Sequence, residues 1–131
     1  MKLLELQSPA EITQLEQQLD QMFSTLGLDV EFSRHFVERL LGRERGVTGQ
    51  DVLASFDNLK KKYKQRLLAA KKQNKYEAIL KDFDRDLNIV FGIRNTKQGP
   101  ELINITIKRK NPDEFHANAS GGDELTVGRR K

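Results

Sequence analysis

The chain has 131 residues and no cysteine, and its 23 basic and 19 acidic side chains give a net charge of +4. This length suits one domain with its own core, and the lack of cysteine excludes disulfides, a thiolate nucleophile and a cysteine-bound zinc site. The first residues do not have the pattern of a signal peptide and no stretch approaches the ~20 apolar residues of a membrane span, so we expect a cytoplasmic protein that does not bind membranes.

The first predicted helix begins near Pro9 and ends at Gly27. Ser8 and Glu11 have the spacing of a capping box, with proline at the first helical position, and glycine is a common C-terminal stop. One side of the helix carries an apolar stripe of Ile12, Leu15, Leu19, Met22, Phe23 and Leu26. The stripe must cover either the core or a partner. We expect residues 1–27 to form an amphipathic unit with an acidic outer face.

A short strand and two more helices are predicted next. The strand covers residues 28–33, and Ser33 is placed to cap a second helix that ends within residues 42–44. Thr48 caps a long third helix that ends near Gln73. The third helix has a buried side made of Val52, Phe56, Leu59, Tyr63 and Leu67.

The second helix carries the most informative spacing. His35, Arg39 and Arg43 recur every four residues and therefore stack on one face. An imidazole beside two guanidinium groups is typical of a phosphate site. The same residues also fit an ordinary solvated helix face, because Glu38 and Glu44 lie next to the arginines.

Charge is unevenly distributed along the chain. Residues 1–33 contain six acidic side chains against one lysine, so the rest of the chain is strongly basic. The basic stretch 60–75 has no acidic residue, and it begins with Lys60, Lys61 and Lys62. Such runs attract polyphosphates, although lysines on exposed helices also serve solubility alone. Two smaller basic clusters lie at 108–110 and 129–131.

After the third helix the apolar pattern changes from a helical to an alternating period. It predicts three strands, over 76–81, 87–94 and 102–108. We expect an α+β domain at 28–116, in which about three helices pack on a small antiparallel sheet of three to four strands. Residues 117–131 are predicted to be a flexible basic tail.

The sequence has neither a phosphate-binding loop nor a dense metal-ligand cluster, so no metal and no cofactor are expected. Metal-free cleavage of RNA needs a base for its 2′-hydroxyl, cations for the developing charge, and an acid or a tolerable leaving group. His35 would be the base or acid, and Arg39 and Arg43 would hold the phosphate. Thr106 and Lys108 on the last strand would donate to phosphate oxygens. They also fit a strand former and an edge-strand charge, respectively.

The phrases FSRHFVERLLGRERGVT and LINITIKRKNPDEF, with this order of helices and strands, resemble the barnase, colicin and RelE superfamily of small metal-independent ribonucleases. The resemblance is greatest to phage-encoded and toxin-type members. The family pattern of a histidine, two arginines and a helix cap falls on His35, Arg39, Arg43 or Arg45, and Thr48. The resemblance implies an endoribonuclease of a phage or mobile element that binds RNA in the bacterial cytoplasm. A further histidine in the family's site would have to be His116.

The alternative is a non-enzymatic phage accessory or virion protein that binds a host protein, a virion component or nucleic acid. Its support is the apolar stripe of the first helix, which a partner protein could cover, together with the rule that fold does not settle function. The environment of His35 discriminates between the two hypotheses. A sheet face whose side chains converge on His35 favours the enzyme, and an imidazole buried against core residues favours the binding protein.

Overall fold

The computed structural model describes residues 8–42, 44, 46–73, 75–115 and 122–129. Its helices are α1 (Pro9–Ser24), α2 (Arg34–Leu41) and α3 (Gly49–Ala70). Its strands are β1 (Asp29–Phe32), β2 (Lys75–Asp82), β3 (Leu87–Thr96), β4 (Gly99–Arg109) and β5 (Asp123–Val127), with a short 3-10 helix at Pro112–Glu114. None of the helices in these ranges is long and apolar enough to cross a membrane.

Side chains cap the start of each helix, as the sequence predicts. The Ser8 hydroxyl accepts from the Glu11 N–H, and the Ser33 hydroxyl accepts from the third residue of α2. In α3 the capping is reciprocal, since the Asp51 N–H donates to Thr48 Oγ1 and the Asp51 carboxylate accepts from the Thr48 N–H. These bonds satisfy N–H groups that have no partner within the helix. The predicted helix starts are therefore confirmed.

The five strands form one mixed sheet in the order β1-β4-β3-β2-β5. Strands β2, β3 and β4 are joined as antiparallel hairpins, whereas β1 runs parallel to β4 and β5 runs parallel to β2. The α+β class is confirmed. The prediction of three to four antiparallel strands is wrong in detail, because both edge strands join in parallel. Strand β5 also lies within residues 117–131, where the sequence predicts a tail.

The three helices pack on one face of the sheet around a single core. Phe56 of α3 lies at its centre, with its ring centroid 5.8 Å from that of Phe23 in α1 and 6.3 Å from that of Phe91 in β3. The stripe of α1 is buried in this core at Ile12, Leu15, Leu19 and Phe23. Helix α1 therefore covers the sheet of its own chain.

The backbone of Phe115, beyond β4, lies against the face of the sheet opposite the helices. Beneath it the Lys81 side chain is buried, and its Nζ donates to the Phe115 carbonyl at 3.2 Å and pairs with Glu124 at 3.0 Å. Ile79 and Val90 are buried on the same face.

The free edge of β1 is covered by carboxylates from α1. The Val30 N–H donates to Asp20 Oδ1 at 2.9 Å, and the Phe32 N–H donates to Glu16 Oε2 at 2.7 Å. An edge strand with unpaired N–H groups is a template for pairing with another chain. The two carboxylates remove that opportunity.

The free edge of β5 is covered by α3. The Tyr63 hydroxyl donates to the Thr126 carbonyl at 3.0 Å and accepts from the Thr126 N–H at 3.1 Å. Helix α3 is kinked at Tyr63, whose φ of −119° and ψ of 25° are not helical. The kinked residue thus supplies the side chain that holds the last strand.

Candidate functional site

Helix α2 takes the place of a strand beside the second half of β4. Strand β1 pairs with only four residues of β4, so the outer edge of residues 105–109 has no strand partner. The Ser33 hydroxyl donates to the Ile105 carbonyl at 2.9 Å, and Arg39 Nε donates to the Ile107 carbonyl at 2.6 Å. Polar side chains at the two ends of α2 therefore complete this edge, which we name the α2–β4 edge.

Glu44 continues this edge beyond α2. Its Oε1 accepts from the Arg109 N–H at 2.6 Å, and its own N–H donates to the Arg39 carbonyl at 2.7 Å. Only 7% of Glu44 is exposed. The sequence suggests only a solvated partner for the arginines. In the structure Glu44 binds the backbone of β4, a strand more than 60 residues away. The spacing of residues around Glu44 does not reveal this contact.

His35 lies on the exposed side of α2. The next residue, Phe36, and the residue a turn later, Leu40, are fully buried, so the imidazole points away from the core. Arg39 follows one helical turn after His35 on the same face. The imidazole is therefore not buried against core residues, which is the environment that would favour a binding protein.

The guanidinium of Arg39 is half-buried and anchored. A guanidinium carries five N–H donors, and the bond to Ile107 uses the one on Nε. The bond holds the planar group at the edge of the sheet while its terminal nitrogens provide further donors. Such a fixed fork matches the geometry of phosphate oxygens.

Thr106 and Lys108 project from β4 on the face opposite the core. They pair in register with Val90 and Asn88 of β3, and Ile107 between them is buried in the core. Both side chains are half-buried. They therefore belong to the strand whose backbone holds Arg39, but they lie on the face of the sheet away from the core. Arg43, Arg45 and His116 lie outside the described residues.

The three predicted lysines of α3 do not all lie at one site, since only Lys61 and Lys62 line a common groove. Lys60 Nζ donates to the Met22 carbonyl at 2.7 Å, near the end of α1. Lys61 pairs with Asp57 at 2.8 Å, and Lys62 Nζ donates to the Thr126 carbonyl at 2.9 Å. Consecutive helix residues point about 100° apart, so Lys60 reaches the end of α1 whereas Lys62 reaches β5.

The aspartates of the β2–β3 turn have structural roles. Asp82 is fully buried, and its carboxylate accepts from the Ser55 hydroxyl at 2.6 Å and from Arg85 at 3.1 Å. The Asp84 N–H donates to the other oxygen of Asp82. In the parts of the chain that the structure covers, no group of three histidine or acidic side chains could hold a metal ion.

Two surface grooves carry opposite charge. A groove of about 430 Å³ at the β1 edge is lined by acidic side chains, including Asp29 and Glu31. Partial burial raises the pKa of Glu31, and the carboxylates of Glu16, Glu101, Asp20 and Asp29 raise it further. A second groove of about 480 Å³, between α3 and the end of β5, contains Lys61, Lys62 and Arg129. Phosphate is repelled from the first groove and attracted to the second.

Comparison with known protein families, with curated proteins and with solved structures finds no match to this chain. The resemblance to the ribonuclease superfamily therefore stays an expectation from the sequence.

Proposed function

We propose that this chain binds RNA and cleaves it without a metal ion at the α2–β4 edge. The observation that carries the proposal is the pairing of an exposed His35 with Arg39, whose guanidinium is held at the edge by its bond of 2.6 Å to the Ile107 carbonyl. This arrangement offers a proton acceptor beside a fixed cation, and RNA contains its own nucleophile.

In the proposed reaction neutral His35 removes the proton of the 2′-hydroxyl, and the 2′-oxygen attacks the adjacent phosphorus. The bond from phosphorus to the 5′-oxygen breaks, and the leaving oxygen takes a proton from water. The hydroxide ion that remains takes the proton from His35, which returns to its neutral form. The products are a 2′,3′-cyclic phosphate and a 5′-hydroxyl. Arg39 stabilises the extra negative charge on the phosphorane oxygens, which is the usual role of fixed cations in phosphoryl transfer.

Other polar and basic groups would help to hold the substrate. Thr106 and Lys108 would donate to neighbouring phosphate oxygens from the second face of β4. Arg43 and Arg45 follow Arg39 in the sequence and would add positive charge. As a phage-type ribonuclease, the protein would act in the cytoplasm of a bacterial cell, where it would meet RNA.

Partner binding through α1 is less well supported. Its apolar stripe is buried in the core of the domain, at Ile12, Leu15, Leu19 and Phe23. The apolar stripe that favoured a partner protein is therefore buried against the chain's own core.

A cleavage assay in EDTA tests the proposal. Purified protein should cut labelled RNA into fragments with 2′,3′-cyclic phosphate ends. His35→Ala should lower the rate by about two orders of magnitude or more, as loss of a general acid-base usually does. Mass spectrometry identifies the ends, and gel electrophoresis gives the rates.

Arg34→Ala is the matched control. Arg34 precedes His35 on the same helix, and its side chain is 93% exposed in a pair with Glu38. Exposed ion pairs contribute little, so this variant should keep the full rate. Equal rates for the unmodified chain and His35→Ala would overturn the proposal, as would a requirement for a divalent ion.

A further inference from the structure

We infer that the groove between α3 and the end of β5 binds the phosphate backbone of RNA, apart from the α2–β4 edge. We name it the phosphate groove, and it is lined by Asn58, Lys61, Lys62, Asp84, Val127, Gly128 and Arg129. The inference rests on the proposed function, since it identifies where the remainder of an RNA substrate is held. Most of these residues have no distinguishing motif in the sequence.

One wall of the groove is built by a tight turn after β5. Gly128 has a φ of +78°, and a Cβ at this position would lie 2.7 Å from the Asp84 nitrogen. Only glycine fits such a close approach in this conformation. The turn brings Arg129 beside the β2–β3 turn, where its N–H donates to Asp84 Oδ1 at 3.1 Å. One oxygen of the Asp84 carboxylate is therefore already occupied by a hydrogen bond within the turn.

The other wall is α3, fixed to β5 at its kink. Lys62 Nζ donates to the Thr126 carbonyl and lies 5.4 Å from the centroid of the Tyr63 ring. The Tyr63 hydroxyl holds the same backbone unit. An ammonium has three donors, so Lys62 can bind one more acceptor in the groove without releasing β5.

Two other cations in the groove can meet a phosphate. Arg129 is exposed. The Lys61 side chain is 73% exposed, and its partner Asp57 is 43% exposed. A pair this accessible has little net strength, so a phosphate can compete with Asp57 for the ammonium. Asn58 adds amide donors between the lysines and the turn.

The chemistry of the lining favours a nucleic-acid backbone over a base. Its side chains are cations and an amide beside one carboxylate, and no aromatic ring is part of the lining. Stacking of bases requires such a ring, whereas phosphates need only positive charge. At about 480 Å³ the groove has room for more than one phosphate.

Binding of a 2′-O-methyl RNA tests the groove, because this strand lacks the hydroxyl needed for cleavage. Fluorescence anisotropy at several salt concentrations gives the slope of log affinity against log salt. In the double variant Lys61→Gln/Arg129→Gln the slope should become shallower by about 1.4, since each lost contact to a single strand removes about 0.7. A DNA strand of the same sequence should show the same change, because its phosphates are shared.

The double variant Lys72→Gln/Lys75→Gln removes two exposed lysines outside the groove and is the matched control. It changes net charge equally and should leave the slope unaltered. The inference would be overturned if the slope stayed unchanged in the groove variant or changed equally in the control. It would also be overturned if the unmodified chain did not bind the strand. Failure of RNA cleavage alone would contradict the proposed reaction and leave this result intact.

Discussion

Arg39 combines a structural bond with its proposed contact to phosphate. Its Nε donates to the Ile107 carbonyl on a stretch of β4 whose outer edge has no strand partner among the described residues. A hydrogen bond from a charged donor contributes about 1.5–3 kcal/mol. Loss of Arg39 therefore weakens the fold and the site together, and the exposed His35 is the better residue for testing the chemistry alone.

The site was partly predictable at the level of single residues. The period of a helix is enough to place His35 and Arg39 on one face. Nothing local indicates that Arg39 would bind a backbone carbonyl or that Glu44 would cap β4, because both contacts depend on how a distant strand is aligned. The same limit applies to Arg129, which lines a groove with residues of α3 because the chain turns at Gly128.

Gly128→Ala should destabilise the protein by more than about 1 kcal/mol. The native φ of +78° is unfavourable for alanine, and the added Cβ would lie 2.7 Å from the Asp84 nitrogen, so the turn must shift. Urea unfolding followed by circular dichroism gives the free energy of unfolding.

Gly46→Ala is the control for this substitution. A Cβ at Gly46 meets no atom within 4 Å, and its φ lies outside the positive range. Alanine there should stabilise the chain by about 0.4–1 kcal/mol through its less flexible unfolded state. If the two substitutions changed the free energy of unfolding equally, the turn at Gly128 would not require glycine.

The helices protect the edges of the sheet as well as covering its face. Carboxylates of α1 hold β1, the side chains of α2 and Glu44 complete β4, and Tyr63 of α3 holds β5. This arrangement prevents pairing with other chains. It also concentrates acidic groups next to β1, where Glu31 has a raised pKa.

Glu31→Gln should stabilise the protein at pH 7. The raised pKa means that the folded state holds the Glu31 proton more tightly than the unfolded chain does, so the charged side chain destabilises the fold above both pKa values. The gain should be below about 1 kcal/mol, because exposed charges are well screened. It should disappear at pH 3, which is below the ordinary value of 4.5, since Glu31 is then protonated in both states.

Thermal melting at the two pH values checks this prediction. Glu114→Gln, an exposed acid outside the cluster, is the control and should change neither melting temperature by much. Salt should reduce the gain in Glu31→Gln at pH 7, because Glu16, Asp20, Asp29 and Glu101 act on Glu31 partly through charge. If the Glu31→Gln variant were less stable than the unmodified chain at pH 7, the charged Glu31 side chain would not destabilise the fold.

Local signals predicted most elements but not the sheet topology. Caps and periodicity identified three helices, and alternation identified β2, β3 and β4. Strand β5 was missed because it is five residues long and contributes only Leu125 and Val127 to the core. Its parallel pairing with β2 joins segments more than 40 residues apart, which no local pattern reveals.

The molecule as a whole has one core and two oppositely charged edges. The acidic groove adjoins β1 and the phosphate groove adjoins β5, at the two sides of a five-stranded sheet. Four strand spacings separate these edges by roughly 19 Å, which exceeds the screening length of about 8 Å at physiological salt. Each edge therefore acts mainly on its own surroundings.

Cleavage of a DNA strand that contains a single ribose tests the central claim most directly. Incubated with the unmodified chain in EDTA, this strand should be cut only on the 3′ side of the ribose, and mass spectrometry should find a 2′,3′-cyclic phosphate on one fragment and a 5′-hydroxyl on the other. The all-DNA strand should remain whole. Cleavage at other positions, cleavage only after a divalent ion is added, or no cleavage at all would contradict the proposal that His35 and Arg39 form a metal-independent ribonuclease site.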